Sequence, residues 1–149
     1  MRNRSTTLIA LVAALMLVAA IPAAAGGRPL TAYLNGANEV SPGDPDGSGM
    51  MHLTLNQGQG EICWDLDVSD IEAPTRAHIH AAPAGVNGGV VVFFFDLVIP
   101  DPIPVAFDGC VDGVDADLIK DIRQNPENYY INVHNDEYPA GAIRGQLSK

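Results

Sequence analysis

Two histidines stand one residue apart in "AHIHAAPAGVNGGVVVFFF" (77–95), and a third closes "NYYINVH" (128–134), in a chain with only four histidines. Imidazole nitrogens bind borderline metals such as copper and zinc, and two on one strand face can converge on a single ion. His78, His80 and His134 are therefore candidate metal ligands. Three readings compete. The histidines hydrogen-bond to backbone and pin neighbouring strands, since neutral imidazole both donates and accepts; or they hold copper or zinc; or one works as a general acid–base group. The sequence ranks the readings in that order. Arg76 and Arg144 count against a dication unless Asp136 and Glu137, just past His134, offset them.

The spacing also says which side chains travel together. Residues two apart share one face of a strand. In 76–81, Ala77, Ile79 and Ala81 form an apolar side, and Arg76, His78 and His80 the other. In 129–134, Tyr129, Ile131 and Val133 oppose Tyr130, Asn132 and His134; in 142–147, Ile143 and Leu147 oppose Arg144 and Gln146. If these segments are neighbours, Arg76, His78, His80, Asn132, His134, Arg144 and Gln146 form one polar cluster. His52 falls on the outer face of another strand and reads as solvated.

Positioning such a cluster is the task of a strand-rich chain. "LTAYLNG" (30–36), "MHLTLNQGQG" (51–60) and "EICWDLDVS" (61–69) alternate apolar and polar residues, the period of half-buried strands. The turn Gln57–Gly60 predicts a hairpin between the last two. "GVVVFFFDL" (89–97) is apolar throughout and predicts a strand covered on both faces, whereas the three prolines of "IPDPIPVAFDGC" (99–110) predict an irregular or edge segment. One short helix is expected over 115–126, capped by Asp115, striped by Leu118, Ile119 and Ile122, and stopped by Pro126. About seven short strands and one helix predict an all-β, antiparallel Greek-key sandwich or barrel.

The first residues are read as address rather than fold. Arg2 and Arg4, the run "LIALVAALMLVAAI" and the small residues Ala23 and Ala25 have the layout of a secretory signal peptide over 1–25, leaving one domain over 26–149; an uncleaved anchor is the alternative. Removing the leader takes two of the eight cations and none of the eighteen acids, so the net charge becomes 6 − 18 = −12. Such a surface repels phosphate backbones, which excludes a nucleic-acid role. A secreted, extracellular chain meets oxidising conditions. Cys63 and Cys110 are then expected to form a disulfide, on the outward face of the second hairpin strand, with two thiols as soft metal ligands the rival reading.

Other catalytic patterns are missing: no G-x-S-x-G elbow, no Gly-rich phosphate loop, no H-E-x-x-H. Asp112, Asp115, Asp117 and Asp121 lack calcium-loop spacing and suit a helix N-terminus. No catalytic residue is assigned on these grounds.

"AHIH" (77–80), "AGVNGGVVV" and "NPENYYINVHNDEYPAGAIRGQL" (125–147), with "LNGANEVSP" near the start, resemble the CHRD (chordin) domain family over about residues 30–147. The resemblance implies an extracellular all-β domain, immunoglobulin-like or superoxide-dismutase-like, of the kind found in bacterial secreted single-domain members. In chordin the domain belongs to a secreted antagonist of a growth factor. His78, His80, Asn132, His134 and Arg144 occupy the family's recurrent polar positions. The chain departs at Ala142, where the family pattern has Glu. The His-x-His strand is also similar to that of copper–zinc superoxide dismutase, but this chain has too few histidines for that activity to be carried over. The expectation is a secreted, non-enzymatic binding or structural module with an unidentified extracellular protein partner. A copper or zinc protein using His78, His80 and His134 ranks second, and a metal-dependent oxidoreductase third. Without metal, a binding surface is expected around Tyr138 and Pro139.

Overall fold

The computed structural model describes residues 27–96 and 106–149. The expected leader and most of the proline-rich segment lie outside the described residues. The described residues form eight strands, β1 (Arg28–Asn35), β2 (Ser48–Asn56), β3 (Glu61–Ser69), β4 (Arg76–Ala81), β5 (Gly89–Asp96), β6 (Ala106–Val111), β7 (Tyr129–His134) and β8 (Ile143–Ser148), and one α-helix, α1 (Ala116–Gln124). They form one antiparallel sheet in the order β5-β4-β7-β8-β1-β2-β3-β6. Four hairpin pairings are joined by three long-range ones, β4–β7, β8–β1 and β3–β6, a Greek-key connectivity. The end strands β5 and β6 approach each other. Trp64 of β3 packs on Phe94 and Phe95 of β5 with ring centroids 5.7 and 5.5 Å apart. The sheet is thus rolled into a nearly closed barrel.

Alternation builds the interior. Leu30, Ala32 and Leu34 of β1, Met51, Leu53 and Leu55 of β2, and Ile62, Trp64 and Leu66 of β3 all turn inward, joined by Ile79, Ile131, Val133, Ile143 and Leu147. Each fully buried branched side chain contributes about 1.5–3 kcal/mol. Helix α1 adds Ile119 and Ile122 to this core, and Asp115 caps it by accepting from the backbone amides of Asp117 and Leu118.

The apolar run 89–97 departs from its expected burial. β5 is a terminal strand of the sheet order, and Val90 and Phe93 are exposed. Its register slips twice against β4, between Ala77 and His78 and between Ile79 and His80. Each bulge inserts a residue and resets the inward face, so Val92 and Phe95 both point in although they are three apart. Continuous hydrophobicity here reflects bulging, not cover on two sides. The cysteines match expectation: Cys63 and Cys110 face each other across the β3–β6 ladder and form a disulfide near the surface.

Candidate metal centre

Strand pairing brings the three histidine-bearing and arginine-bearing segments side by side. On the β4–β7 ladder Arg76 is opposite His134, His78 opposite Asn132 and His80 opposite Tyr130; on the β7–β8 ladder Tyr130 is opposite Gln146 and Asn132 opposite Arg144. The polar side chains therefore share the face away from the core. That face is not wet. Residues 82–88 fold over one end of it and the turn 135–142 over the other, and His78, Asn132, His134 and Arg144 are all buried.

One nitrogen of each of His78, His80 and His134 lies within 4.8 Å of the other two. The tautomers follow from the neighbours. His80 Nδ1 is 2.9 Å from the carbonyl oxygen of Gly88, and His134 Nδ1 is 3.2 Å from that of Pro139. A carbonyl only accepts, so both Nδ1 atoms carry the proton and both Nε2 atoms present a bare lone pair. Those Nε2 atoms and both nitrogens of His78 are buried without a hydrogen-bond partner. Packing holds the rings: His78 meets Phe93 edge-on at 4.7 Å and His134 at 5.1 Å, and His80 stacks on Tyr130 at 4.8 Å. Backbone carbonyls that fix the tautomer of a ligating imidazole are the usual outer layer of a metal site.

Charge also favours neutral rings. Burial, then the neighbouring His134, His80 and Arg76, push His78 down to about 4. Burial does the same to His134, also to about 4, against an opposing bond to Pro139. His80 is lowered by burial and by Arg144. All three are metal-competent bases at neutral pH.

The arginines have other work. Arg76 donates to the carbonyl of Pro139 at 3.3 Å. The guanidinium of Arg144 lies 3.4 Å from the Tyr130 ring centroid and donates to Pro83 O at 3.2 Å, Val86 O at 2.9 Å and Asn87 Oδ1 at 3.3 Å. Gln146 reaches Ala82 O at 2.8 Å, and Tyr130 accepts from Gly88 N at 3.2 Å. Arg144, Gln146 and Tyr130 thus rivet the 82–88 loop, whose Gly88 carbonyl orients His80. Asp136 and Glu137 are exposed and are not in the histidine cluster. Nor does the turn supply a broad apolar surface: Tyr138 is half-buried, and among the described residues the large exposed apolar side chains are Tyr33, Val40, Val86, Val90 and Phe93.

The carboxyl of this face comes from elsewhere. Ala142 is buried, and Glu39, just after β1, accepts from Asn132 Nδ2 at 3.3 Å. Burial raises Glu39 to about 7 against the lowering effects of Arg144 and Asn132. Gly141 makes the approach possible. Its φ is +138°, and a Cβ there would stand 2.6 Å from Glu39 Oε1 and 2.8 Å from Asn132 Oδ1, so only glycine fits. The sequence signal for Glu39 was present in "LNGANEV"; what was missing was any local reason to place it beside Asn132.

The family model for the CHRD domain matches residues 30–147. The chain belongs to the CHRD domain family. The match spans every strand of the barrel except the ends of β1 and β8, and it includes all three histidines, Asn132, Arg144 and Glu39. No curated protein matches the chain, and no solved structure matches it. Among the described residues, no helix is long and apolar enough to cross a membrane.

Proposed function

We propose that this CHRD-domain protein is an exported module that binds a copper or zinc ion through His78, His80 and His134. The observation carrying this reading is the convergence of three imidazole nitrogens within 4.8 Å, with two Nδ1 atoms engaged by backbone carbonyls and the Nε2 atoms left without partners. A purely structural role accounts for it less well. Histidines that pin strands use their nitrogens, and four nitrogens here, each costing about 1–3 kcal/mol when buried unpaired, are unused. Bonds of about 2.0–2.1 Å to a common ion put the nitrogens no more than about 4.2 Å apart, so any pair near the 4.8 Å bound has to draw together on loading. Three protein ligands leave a coordination position for water or another small ligand, and imidazole donors suit Cu and Zn alike. The Cys63–Cys110 disulfide and the acidic composition support export.

The test is direct. Protein dialysed against Cu(II) or Zn(II) should retain about one equivalent, and a His78→Ala/His134→Ala variant should retain none. Equal traces on both proteins would end the metal reading and leave the non-metal binding module in its place.

A further inference from the structure

Cations are scarce in this chain, and they are not spread evenly. Six lysines and arginines lie between residues 27 and 149, against eighteen acids in the whole sequence. Two, Arg76 and Arg144, belong to the histidine face. Three of the remaining four, Arg28, Arg123 and Lys149, line one cleft of about 550 Å³ together with Pro29, Leu30 and Gln124. No carboxylate side chain lines it. It sits where the start of β1, the end of α1 and the end of β8 meet, and a second cleft shares Arg28 and Arg123 with it.

The polar partners of these cations are neutral. Arg123 Nη1 donates to Gln57 Oε1 at 2.9 Å, and Lys149 Nζ to Gln124 O at 3.3 Å. Arg123 Nε is buried without an acceptor. A helix C-terminus carries about half a negative charge, which accounts for one of the cations beside α1 but not for three.

We propose that this cleft binds a small oxyanion, a phosphate or sulfate group either free or as an ester on a compact molecule. Arginine forks match the geometry of such groups, and lysine adds a point charge. The strongly negative remainder of the surface disfavours a long polyanion, whose distant charges would be repelled, so a ligand of one or two charges is the class selected. A cleft of this volume has room for an ester-linked sugar as well as the oxyanion.

The experiment is a two-dimensional amide NMR titration at low ionic strength with three probes: inorganic phosphate, inorganic sulfate and a hexose phosphate. Saturable shifts are expected at Leu30, Arg123, Gln124 and Lys149 and not at His78 or His134. The exposed substitutions Arg28→Gln and Lys149→Gln should each weaken binding about two- to fivefold, the size of one exposed charge contact, and together should remove saturation. Arg123→Lys keeps the charge and tests the fork. Tighter binding of the hexose phosphate than of phosphate assigns the site to an ester; equal binding assigns it to the oxyanion itself. Shifts reproduced by chloride at matched ionic strength, or unchanged in a folded Arg28→Gln/Lys149→Gln protein, overturn the proposal.

Discussion

The β2–β3 hairpin and the β4–β7–β8 region read alike in sequence, as strands with one apolar and one polar side, yet they end in different environments. On the hairpin the polar side meets water: His52, Thr54 and Asp65 are exposed, and His52 Nδ1 lies 3.2 Å from Thr31 Oγ1. On β7 all six residues are buried, so Tyr130, Asn132 and His134 are as dry as the core residues between them. Seven polar atoms without partners gather in and beside that second region: Glu39 Oε1, Asn132 Oδ1, Asn135 Nδ2, both nitrogens of His78, and Nε2 of His80 and His134. Water satisfies a polar group at no structural cost, whereas a covered one needs a partner. Dryness, not the presence of histidine, separates a candidate site from a solvated face.

Breaking the comparison starts with the metal. Saturating Zn(II) at about one hundred times its dissociation constant should stabilise the wild type by about 2.7 kcal/mol. It should leave His78→Ala/His134→Ala unmoved while His52→Ala responds like the wild type; thermal unfolding with and without chelator checks this. Next comes the clamp. Arg144→Met leaves three loop acceptors and the Tyr130 face without their cation, so we expect a loss of about 2–4 kcal/mol in denaturant unfolding. The surface substitution Thr54→Ala on the hairpin should stay within about 0.5 kcal/mol. Removing the disulfide by Cys63→Ala/Cys110→Ala should cost about 2–4 kcal/mol, since it closes a loop between residues 47 apart.

The third contrast is in pH, read on metal-free protein. His78 and His134 are held at about 4, below their ordinary 6.5, so between those values the unfolded chain binds more protons and stability falls as the pH falls. Glu39, raised from 4.5 to about 7, acts oppositely: over that window the folded chain binds the extra proton, and stability falls as the pH rises. Each group contributes up to about 1.4 kcal/mol per pH unit. Two histidines outweigh one carboxyl, so unfolding free energy should rise with pH between about 4.5 and 6.5, and Glu39→Gln should steepen the rise.

Much of this was legible in the sequence because it depended on local rules. Period-two alternation gave β1, β2, β3 and β7 and their inward residues, and Asp115 with Pro126 bracketed the helix. Parity grouped His78, His80 and His134 with Asn132 and Arg144, and the outward parity of Cys63 agreed with its place beside Cys110. Features set by distant chain segments were not legible. Nothing near residues 82–88 announces that Arg144 will hold that loop over the sheet, and so the dryness of the histidine face was hidden. Glu39 reaches Asn132 across 93 positions of sequence through a glycine whose role shows only in three dimensions. The run 89–97 misled because two bulges erase the alternation that would have marked an edge strand.

Whether three imidazoles share one ion is read by X-ray absorption at the metal edge of the loaded protein. Three imidazole shells at about 2.0 Å, reduced to fewer in a folded His80→Gln variant, are the predicted result. A spectrum dominated by carboxylate and water oxygens, unchanged by that substitution, would contradict the account.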